Sequence, residues 1–277
     1  RRVVEPLEAL RDEALAQSSV ATRNVALSVR QTDEVGDLAR ALNELLNTLE
    51  TKRRDNEAFV ADLVHELKNP VAAVRATAES VTADLTPERA QRISRLLHES
   101  TSKIDRLITQ FLELARAEAG MPNEIREPVD LVALLRGLVK SASEDERYKG
   151  IAFSFSSASD RALVSGVDHR FEASFRELIE NGASFVREDG HVDVVLEIRA
   201  GIVVVEISDS GPGIAAENLP RVFDRFFTTR DRERGTGLGL ALVKAVAEAH
   251  GGSVRASSEV GKGACFYVQL PLLVAVP

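Results

Sequence analysis

One histidine in this chain has neighbours that could give it a chemical role. His65 lies within an apolar helical repeat and is followed directly by Glu66. A neutral imidazole carries one nitrogen lone pair, and a neighbouring carboxylate can hold the proton of the other ring nitrogen, so the pair could form a nucleophile. A surface histidine in a charged helix is the plainer interpretation of the same two residues. The chemical interpretation therefore depends on whether the rest of the chain supplies something for His65 to attack.

Three glycine-bearing segments occur in the C-terminal half of the chain. Asp209-Ser210-Gly211-Pro212-Gly213 follows a predicted strand. A buried carboxylate there could accept from an exocyclic amine such as that of adenine, and the glycines would let a flat base come close; a simple strand-end turn is the alternative. Gly235-Thr236-Gly237-Leu238-Gly239-Leu240 opens a predicted helix, where backbone N–H groups favour an anion. It is neither a P-loop nor a dinucleotide fingerprint. Gly261-Lys262-Gly263 by itself indicates a hairpin turn.

A segment with three phenylalanines, Phe223-Asp224-Arg225-Phe226-Phe227, lies between the first two glycine segments. It could anchor a mobile lid over residues 215–234, a stretch with weak periodicity and many charges. A second interpretation adds Arg225 as a contact to phosphate.

Glu177 and Asn181 are four residues apart in a predicted helix and therefore share one face. An asparagine oxygen beside bound phosphates could ligate Mg²⁺. The glutamate could order a water on that metal or act as a base. An exposed Glu–Asn pair without function is the alternative.

Composition bounds the class of protein. The chain has 277 residues, 44% of them hydrophobic and 28% charged, which is ordinary for globular protein and allows two or three compact units. A net charge of −8 without a Lys/Arg block argues against nucleic-acid binding. The single cysteine, Cys265, excludes an internal disulfide and a multi-thiolate metal site. No apolar run approaches the roughly 20 residues that cross a bilayer. Because the chain begins at Arg1, we expect it to be a fragment of a longer protein.

The N-terminal half predicts long helices. Helices are expected over residues 4–16 and from Asp33 onward, then over residues 56–83 and from a Thr86 N-cap with Pro87 at the first position to about residue 119. Pro70 lies inside the helix predicted over residues 56–83 and predicts a kink or a loosened turn there. The last two helices form an antiparallel hairpin whose apolar face is too long to be covered alone, so a homodimeric four-helix bundle is expected.

After a polar linker at residues 122–128 the hydrophobic period changes. The pattern predicts an α+β sandwich, with a mixed or antiparallel sheet covered on one face by helices. The predicted helices are residues 131–139, capped by Asp130, then 168–185 and 238–250. The predicted strands are residues 151–155, 192–198, 202–208, 253–256 and 264–270.

Taken together, these segments resemble a two-component sensor histidine kinase. His65-Glu66-Leu67-Lys68-Asn69-Pro70 is similar to that family's H box, and residues 177–183 to its N box. The Asp209 segment is similar to the first glycine box, residues 223–227 to the F box and residues 235–240 to the second glycine box. Residues 1–50, with Pro6 and Asp33-Glu34-Val35-Gly36, resemble a HAMP signal-relay module.

The resemblance implies a reaction and the residues for it. A Bergerat-type domain would bind Mg²⁺ and ATP, His65 would attack the γ-phosphorus, and the phosphoryl group would pass to an aspartate of a response regulator receiver domain. Glu66 would polarise His65, and Asn69 would assist transfer or dephosphorylation. The implied metal ligands are Asn181 and Glu177. The implied nucleotide-binding residues are Asn181, Phe185, Asp209, Gly211, Gly213, Arg225, Gly235, Thr236, Gly237, Leu238, Gly239 and Leu240.

The resemblance also implies an organisation. Residues 1–54 would be the HAMP-like module, residues 55–121 the dimerisation and phosphotransfer hairpin, residues 122–128 a linker and residues 129–277 the catalytic ATP-binding domain. HAMP-like modules normally follow a transmembrane helix, so we expect the cytoplasmic portion of a bacterial inner-membrane protein that acts as a homodimer.

Two positions depart from the family pattern. Glu177 stands where sensor kinases usually carry asparagine, and Ser184 where they carry a basic residue before Phe185. A glutamate at the first position is typical of related ATPases, in which it activates water. This favours altered Mg²⁺ coordination or ATP hydrolysis without transfer, and the alternative function is an ATP-driven conformational machine that never phosphorylates itself.

Overall fold

The computed structural model describes residues 34–81, 86–120, 124–229 and 235–273. The chain divides into two compact units, residues 1–65 and residues 66–277, and each is described by itself. Most of the predicted HAMP-like module, residues 1–33, lies outside the described residues. The HAMP-like module therefore remains a prediction from the sequence.

The first described helix, α1, runs without interruption from Glu34 to Glu79. It joins the helix predicted to begin near Asp33 to the one predicted over residues 56–83. Pro70 is buried within it, and the kink predicted there stays a prediction. Among the described helices, none is long and apolar enough to cross a membrane.

Helix α2 runs from Pro87 to Glu118 and begins as the sequence predicts. Thr86 is its N-cap and accepts from the Arg89 backbone N–H at 3.3 Å, with Pro87 in the first turn. Its buried side chains include Leu107 and Leu114. Within the second unit, α2 packs against the helix formed by residues 239–249.

The second unit contains a five-stranded mixed sheet in the order β2–β4–β5–β7–β6. Strands β2 and β4 are parallel, and the other neighbours are antiparallel. A separate two-stranded sheet pairs β1 with β3. The strands are β1 Glu127–Asp130, β2 Ala152–Ser157, β3 Leu163–Gly166, β4 His191–Arg199, β5 Ile202–Asp209, β6 Ser253–Ser258 and β7 Ala264–Pro271.

Three helices pack against one face of this sheet: α3 Leu131–Ser143, α4 Asp168–Phe185 and α5 Gly239–Ala249. Burial alternates along β4 and β5, so that every second side chain joins the core beneath the helices. The mixed sheet covered by helices confirms the predicted α+β sandwich, and the two long helices precede it in the predicted order.

Local signals explain several boundaries. Asp130 accepts from the Val132 backbone N–H at 3.1 Å and so caps α3, as predicted. The β4–β5 hairpin turns at Ala200 and Gly201, with φ values of 49° and 79°, which two-residue hairpins of this twist require. Two differences are plain: β1 and β3 were not predicted, and β1 begins at Glu127, inside the segment predicted to be linker.

Buried Arg170 of α4 ties the start of that helix to the segment after α2. Its side chain is 5% exposed and pairs with Glu124 at 2.7 Å and with Glu113 of α2 at 3.9 Å. The Arg170 ion pair holds the pKa of the Glu124 carboxyl below its ordinary value. A buried arginine with two carboxylates fixes how α2 and α4 meet.

Candidate nucleotide site

A pocket of about 320 Å³ opens in the second unit beneath the C-terminal half of α2. Its walls come from α2, α4, the start of α5 and the ends of β5 and β7. Most of the predicted nucleotide-binding residues share it. Those lining it are Glu177, Asn181, Phe185, Asp209, Gly213, Gly235, Thr236, Gly237, Gly239 and Leu240.

Asp209 lies at the end of β5, with 9% of its surface exposed. Its Oδ1 accepts from the backbone N–H of Gly211 at 2.8 Å and of Ala264 at 3.4 Å. Its Oδ2 accepts from no group among the described residues. Burial raises the pKa of this carboxyl, and the two backbone hydrogen bonds oppose the shift. A carboxylate fixed through one oxygen can present the other to a ligand amine.

The backbone of the third glycine segment packs directly against Asp209. Gly263 has a φ of 85°, and a Cβ there would collide with the Asp209 carbonyl oxygen. By its sequence alone this segment indicates only a hairpin turn. Its position beside β5 comes from the pairing of β5 with β7, which links residues far apart in the sequence. No local signal could have placed Gly263 beside Asp209.

Glu177 and Asn181 both line the pocket from α4, as their spacing predicts. Glu177 is half-buried, and its Oε1 accepts from Gln110 Nε2 at 2.6 Å. Burial raises the pKa of Glu177, while the Gln110 hydrogen bond acts in the opposite direction. A Cβ at Gly239 would collide with Glu177 Oε2, so the start of α5 approaches this carboxylate closely because residue 239 is glycine.

The start of α5 presents backbone donors to the pocket. Leu238 occupies the N-cap position without a side-chain cap, and Gly239 and Leu240 of the first turn line the pocket. The first N–H groups of a helix have no partners within the helix, and the helix dipole favours an anion at that end. The glycine turn and helix start therefore fit the phosphates of a nucleotide.

Helix α2 contributes a wall that the sequence did not reveal. Gln110 bridges two pocket residues: its Nε2 donates to Glu177, and its Oε1 accepts from Thr236 Oγ1 at 2.5 Å. Arg106, one turn earlier, also lines the pocket. Both residues occupy ordinary positions of a helical repeat, so only the packing of α2 identifies them.

Three predicted residues do not line the pocket. Gly211 and Leu238 adjoin residues that do. Arg225 instead pairs with Glu118 of α2, with Nη2 at 2.6 Å from Oε1. The role of Arg225 as a phosphate contact stays a prediction. In this structure its guanidinium pairs with a carboxylate of α2 instead.

The phenylalanine segment around Arg225 anchors residues beside the pocket. Phe223 stands edge-on to Phe266 with ring centroids 6.2 Å apart, and Phe227 lines the pocket. Phe226 has a φ of 59°, and a Cβ at Gly237 would fall 2.5 Å from its carbonyl carbon. This left-handed backbone lets the second glycine segment pass close to the phenylalanines.

The residues of the H box lie along α1. His65 and Asn69 are exposed and four residues apart, hence on one face of the helix, and Glu66 is half-buried. His65 ends the first compact unit, whereas the pocket belongs to the second. Their predicted roles stay predictions.

The fold and the pocket are those of a nucleotide-binding domain behind a long helical segment, and two family models match the chain. The family described as "Histidine kinase-, DNA gyrase B-, and HSP90-like ATPase" matches residues 166–274. The family described as "His Kinase A (phospho-acceptor) domain" matches residues 55–120.

Curated relatives are sensor proteins. The chain is 36% identical over 260 residues to Sensor protein ChvG of Agrobacterium fabrum, which covers 88% of this chain and 44% of the relative. It is 29% identical over 189 residues to Sensor protein SrrB of Staphylococcus aureus, covering 67% of this chain and 32% of the relative. The chain thus spans less than half the length of these curated relatives.

Solved structures share the fold. Full-length ShkA in complex with AMPPNP has a TM-score of 0.59 at 25% identity, covering 80% of this chain and 47% of that one. Histidine kinase ThkA in complex with the response regulator protein TrrA has a TM-score of 0.65 at 24% identity, covering 81% and 65%. The chain therefore belongs to the two-component sensor histidine kinase family.

Proposed function

We propose that this chain autophosphorylates His65 from ATP and passes the phosphoryl group to an aspartate of a response regulator receiver domain, and that it also dephosphorylates that regulator. One observation carries the proposal. A pocket that combines a buried carboxylate able to accept from the adenine amine with a helix start able to bind an anion lies in the same chain as a phospho-acceptor helix. Phosphoryl transfer needs mainly positioning and charge neutralisation, which these two parts can supply.

The chemistry assigns a role to each H-box residue. A ring nitrogen of His65 forms a bond to the γ-phosphorus as the bond between that phosphorus and the β,γ-bridging oxygen breaks, so ADP leaves with the electron pair. Glu66 holds the proton of the other ring nitrogen, and Asn69 assists transfer or dephosphorylation.

The nucleotide residues divide by chemistry. Asp209 accepts from the adenine amine, and residues 235–240 surround the phosphates with backbone N–H groups. Asn181 and Glu177 offer oxygen donors from one wall of the pocket and would hold Mg²⁺ beside the phosphates. When bound, Mg²⁺ supplies neutralisation of phosphate charge.

We infer that the chain works as a homodimer. Large apolar side chains remain exposed along α1 and α2, which supports a bundle that pairs these helices between two copies. They include Leu45 and Leu49, each 54% exposed, and Val60, Val64, Leu96, Ile108 and Leu112.

The proposed organisation keeps the predicted divisions. Residues 1–54 form a HAMP-like relay, residues 55–121 the phosphotransfer hairpin, residues 122–128 a linker and residues 129–277 the ATP-binding domain. The HAMP resemblance and the sensor relatives support the cytoplasmic portion of a bacterial inner-membrane protein, attached to the membrane through a separate segment.

A phosphotransfer profile tests the proposed function. The protein is labelled with γ-labelled ATP and incubated briefly with purified receiver domains of candidate regulators. We expect one receiver to acquire label much faster than the others, at the expense of the labelled kinase. Label that stays on the kinase with every receiver would contradict the transfer step.

Glu177 favours the second candidate function, an ATP-hydrolysing conformational machine without self-phosphorylation. If Glu177 activates water, Glu177→Asn lowers the rate of ATP hydrolysis that produces no phosphohistidine. The expected loss is about a hundredfold, as when a general base is removed from other enzymes. The yield of phospho-His65 per ATP consumed then rises. Because burial raises the pKa of Glu177, this hydrolysis increases with pH through a pKa above the ordinary range for glutamate, and the variant lacks that dependence.

Turnover and phosphohistidine are measured together across pH, with Glu172→Gln as the matched control. Glu172 lies on the same helix in an exposed pair with Arg176. An unchanged ratio of turnover to phosphohistidine in Glu177→Asn would remove the case for hydrolysis.

A further inference from the structure

The carboxylates that line the pocket disfavour the binding of a triphosphate unless nearby cations offset their charge. Three carboxylates line it among the described residues, those of Glu177, Glu180 and Asp209. ATP carries several negative charges on its phosphates, and like charges at close range in a partly buried site repel strongly. Two arginines, Arg106 and Arg147, supply the positive charge of the described lining. Neither lies in the H, N or F box or in either glycine box.

Arg147 reaches the pocket from a short 3₁₀ turn between α3 and β2, Glu146–Tyr148. Its guanidinium is fixed by Asp145, with Nε at 2.9 Å and Nη2 at 2.7 Å from Oδ2. The same carboxylate accepts from the Arg147 backbone N–H at 2.9 Å and caps the turn. The side chain therefore has one preferred direction before any ligand binds.

That direction leads to the wall that carries Asn181. Arg147 Nη2 lies 3.4 Å from Glu180 Oε1, a long contact, and Glu180 directly precedes Asn181 on α4. Ser184, one turn further along, lines the same pocket. Arg147 Nη1 donates to no group among the described residues, and its side chain is 65% exposed. A ligand entering from solvent can therefore reach this guanidinium.

Arg106 is less suited to the same task. It lies on α2, outside the sandwich that holds the glycine turn, and its charge lowers the pKa of Glu177 without a hydrogen bond or ion pair to any residue described in the structure. Ordering a loose arginine costs side-chain entropy on binding, whereas a guanidinium already held by a carboxylate loses less. The difference favours Arg147 as the cation that meets the phosphates.

We propose that Arg147 is a substrate-binding residue that contacts the phosphate oxygens of the nucleotide, exchanging its long contact with Glu180 for them. Asp145 is its positioning residue. This inference rests on the proposed function, since it takes the pocket to be the ATP site. The turn that carries Arg147 lies outside every recognised motif, and it would recognise the phosphates rather than adenine.

Calorimetric titrations with ATP and with adenosine, each with and without Mg²⁺, test the assignment. In Arg147→Ala we expect ATP affinity to fall by at least about tenfold and adenosine affinity to stay unchanged, because a charged hydrogen bond to phosphate is lost. Arg147→Lys restores part of the ATP affinity. The control is Arg161→Ala, whose arginine pairs with Asp130 at 3.5 Å and does not line the pocket; it should bind both ligands as the wild type does.

Two results would overturn the inference alone. One is ATP affinity in Arg147→Ala equal to that of the wild type. The other is an equal loss of ATP and adenosine affinity, since that would mean the turn supports the fold of the pocket. Thermal unfolding of each variant establishes that it is folded. Failure of the wild type itself to bind ATP would contradict the proposed function, and the inference with it.

Discussion

His65→Gln is expected to abolish phosphoryl labelling of the protein by γ-labelled ATP. Glutamine is polar and tolerated in helices, but its amide has no basic lone pair on nitrogen to attack phosphorus. His65 is exposed on α1, so the substitution removes no buried contact and α1 should persist. ATP affinity should remain that of the wild type, because the pocket is built from residues of the second unit.

The matched control for this experiment is His98→Gln. His98 is exposed on α2, within the same predicted hairpin, and is followed by Glu99 as His65 is followed by Glu66, but no Asn-Pro pair like Asn69-Pro70 comes after it. Its variant should label as the wild type does. Persistent labelling of His65→Gln would show that another residue is the acceptor.

Asp209→Asn is expected to weaken ATP binding by about tenfold or more, since it removes a charged acceptor from a buried hydrogen bond. The sharper effect concerns the choice of base. A carboxylate only accepts, so it favours the 6-amino group of adenine over the 6-oxo group of hypoxanthine. An asparagine can turn its amide to donate, and the preference for ATP over ITP should largely disappear.

The pH dependence of the wild type provides a second check on Asp209. Burial raises the pKa of its carboxyl, so protonation begins at a higher pH than for an ordinary aspartate. ATP affinity should therefore fall as the pH is lowered through that raised pKa, and the asparagine variant should lack this dependence. Asp160→Asn, at an exposed position outside the pocket lining, is the control. An unchanged ratio of ATP to ITP affinity in Asp209→Asn would contradict adenine recognition by Asp209.

Much of the second unit follows from local sequence signals. Helix α4 spans residues 168–185 as predicted, because its apolar side chains recur at helical spacing over five turns. The hairpin of β4 and β5 follows from alternation around a turn at Gly201. By contrast β1 and β3 are four residues each, too short for alternation to distinguish from a loop, and they pair across more than thirty residues of sequence.

The residues of the pocket likewise fall into those that the sequence predicts and those that it does not. Asp209, Asn181 and the glycine turn were predictable, since each belongs to a motif whose residue types serve one chemistry. Gln110 and Arg147 were not, because each reaches the pocket through packing between segments distant in sequence. Neither residue carries a local signal that separates it from an ordinary polar surface position.

If this protein stores a phosphoryl group on His65, the chemical stability of the labelled protein shows it most directly. The wild type is labelled from γ-labelled ATP, treated with acid or base, and mapped by peptide mass spectrometry. We expect label that is stable in base, lost in acid, and located at His65. Label that survives acid on a serine or threonine, label lost in base as an acyl phosphate, or ATP turnover without any label would contradict the account.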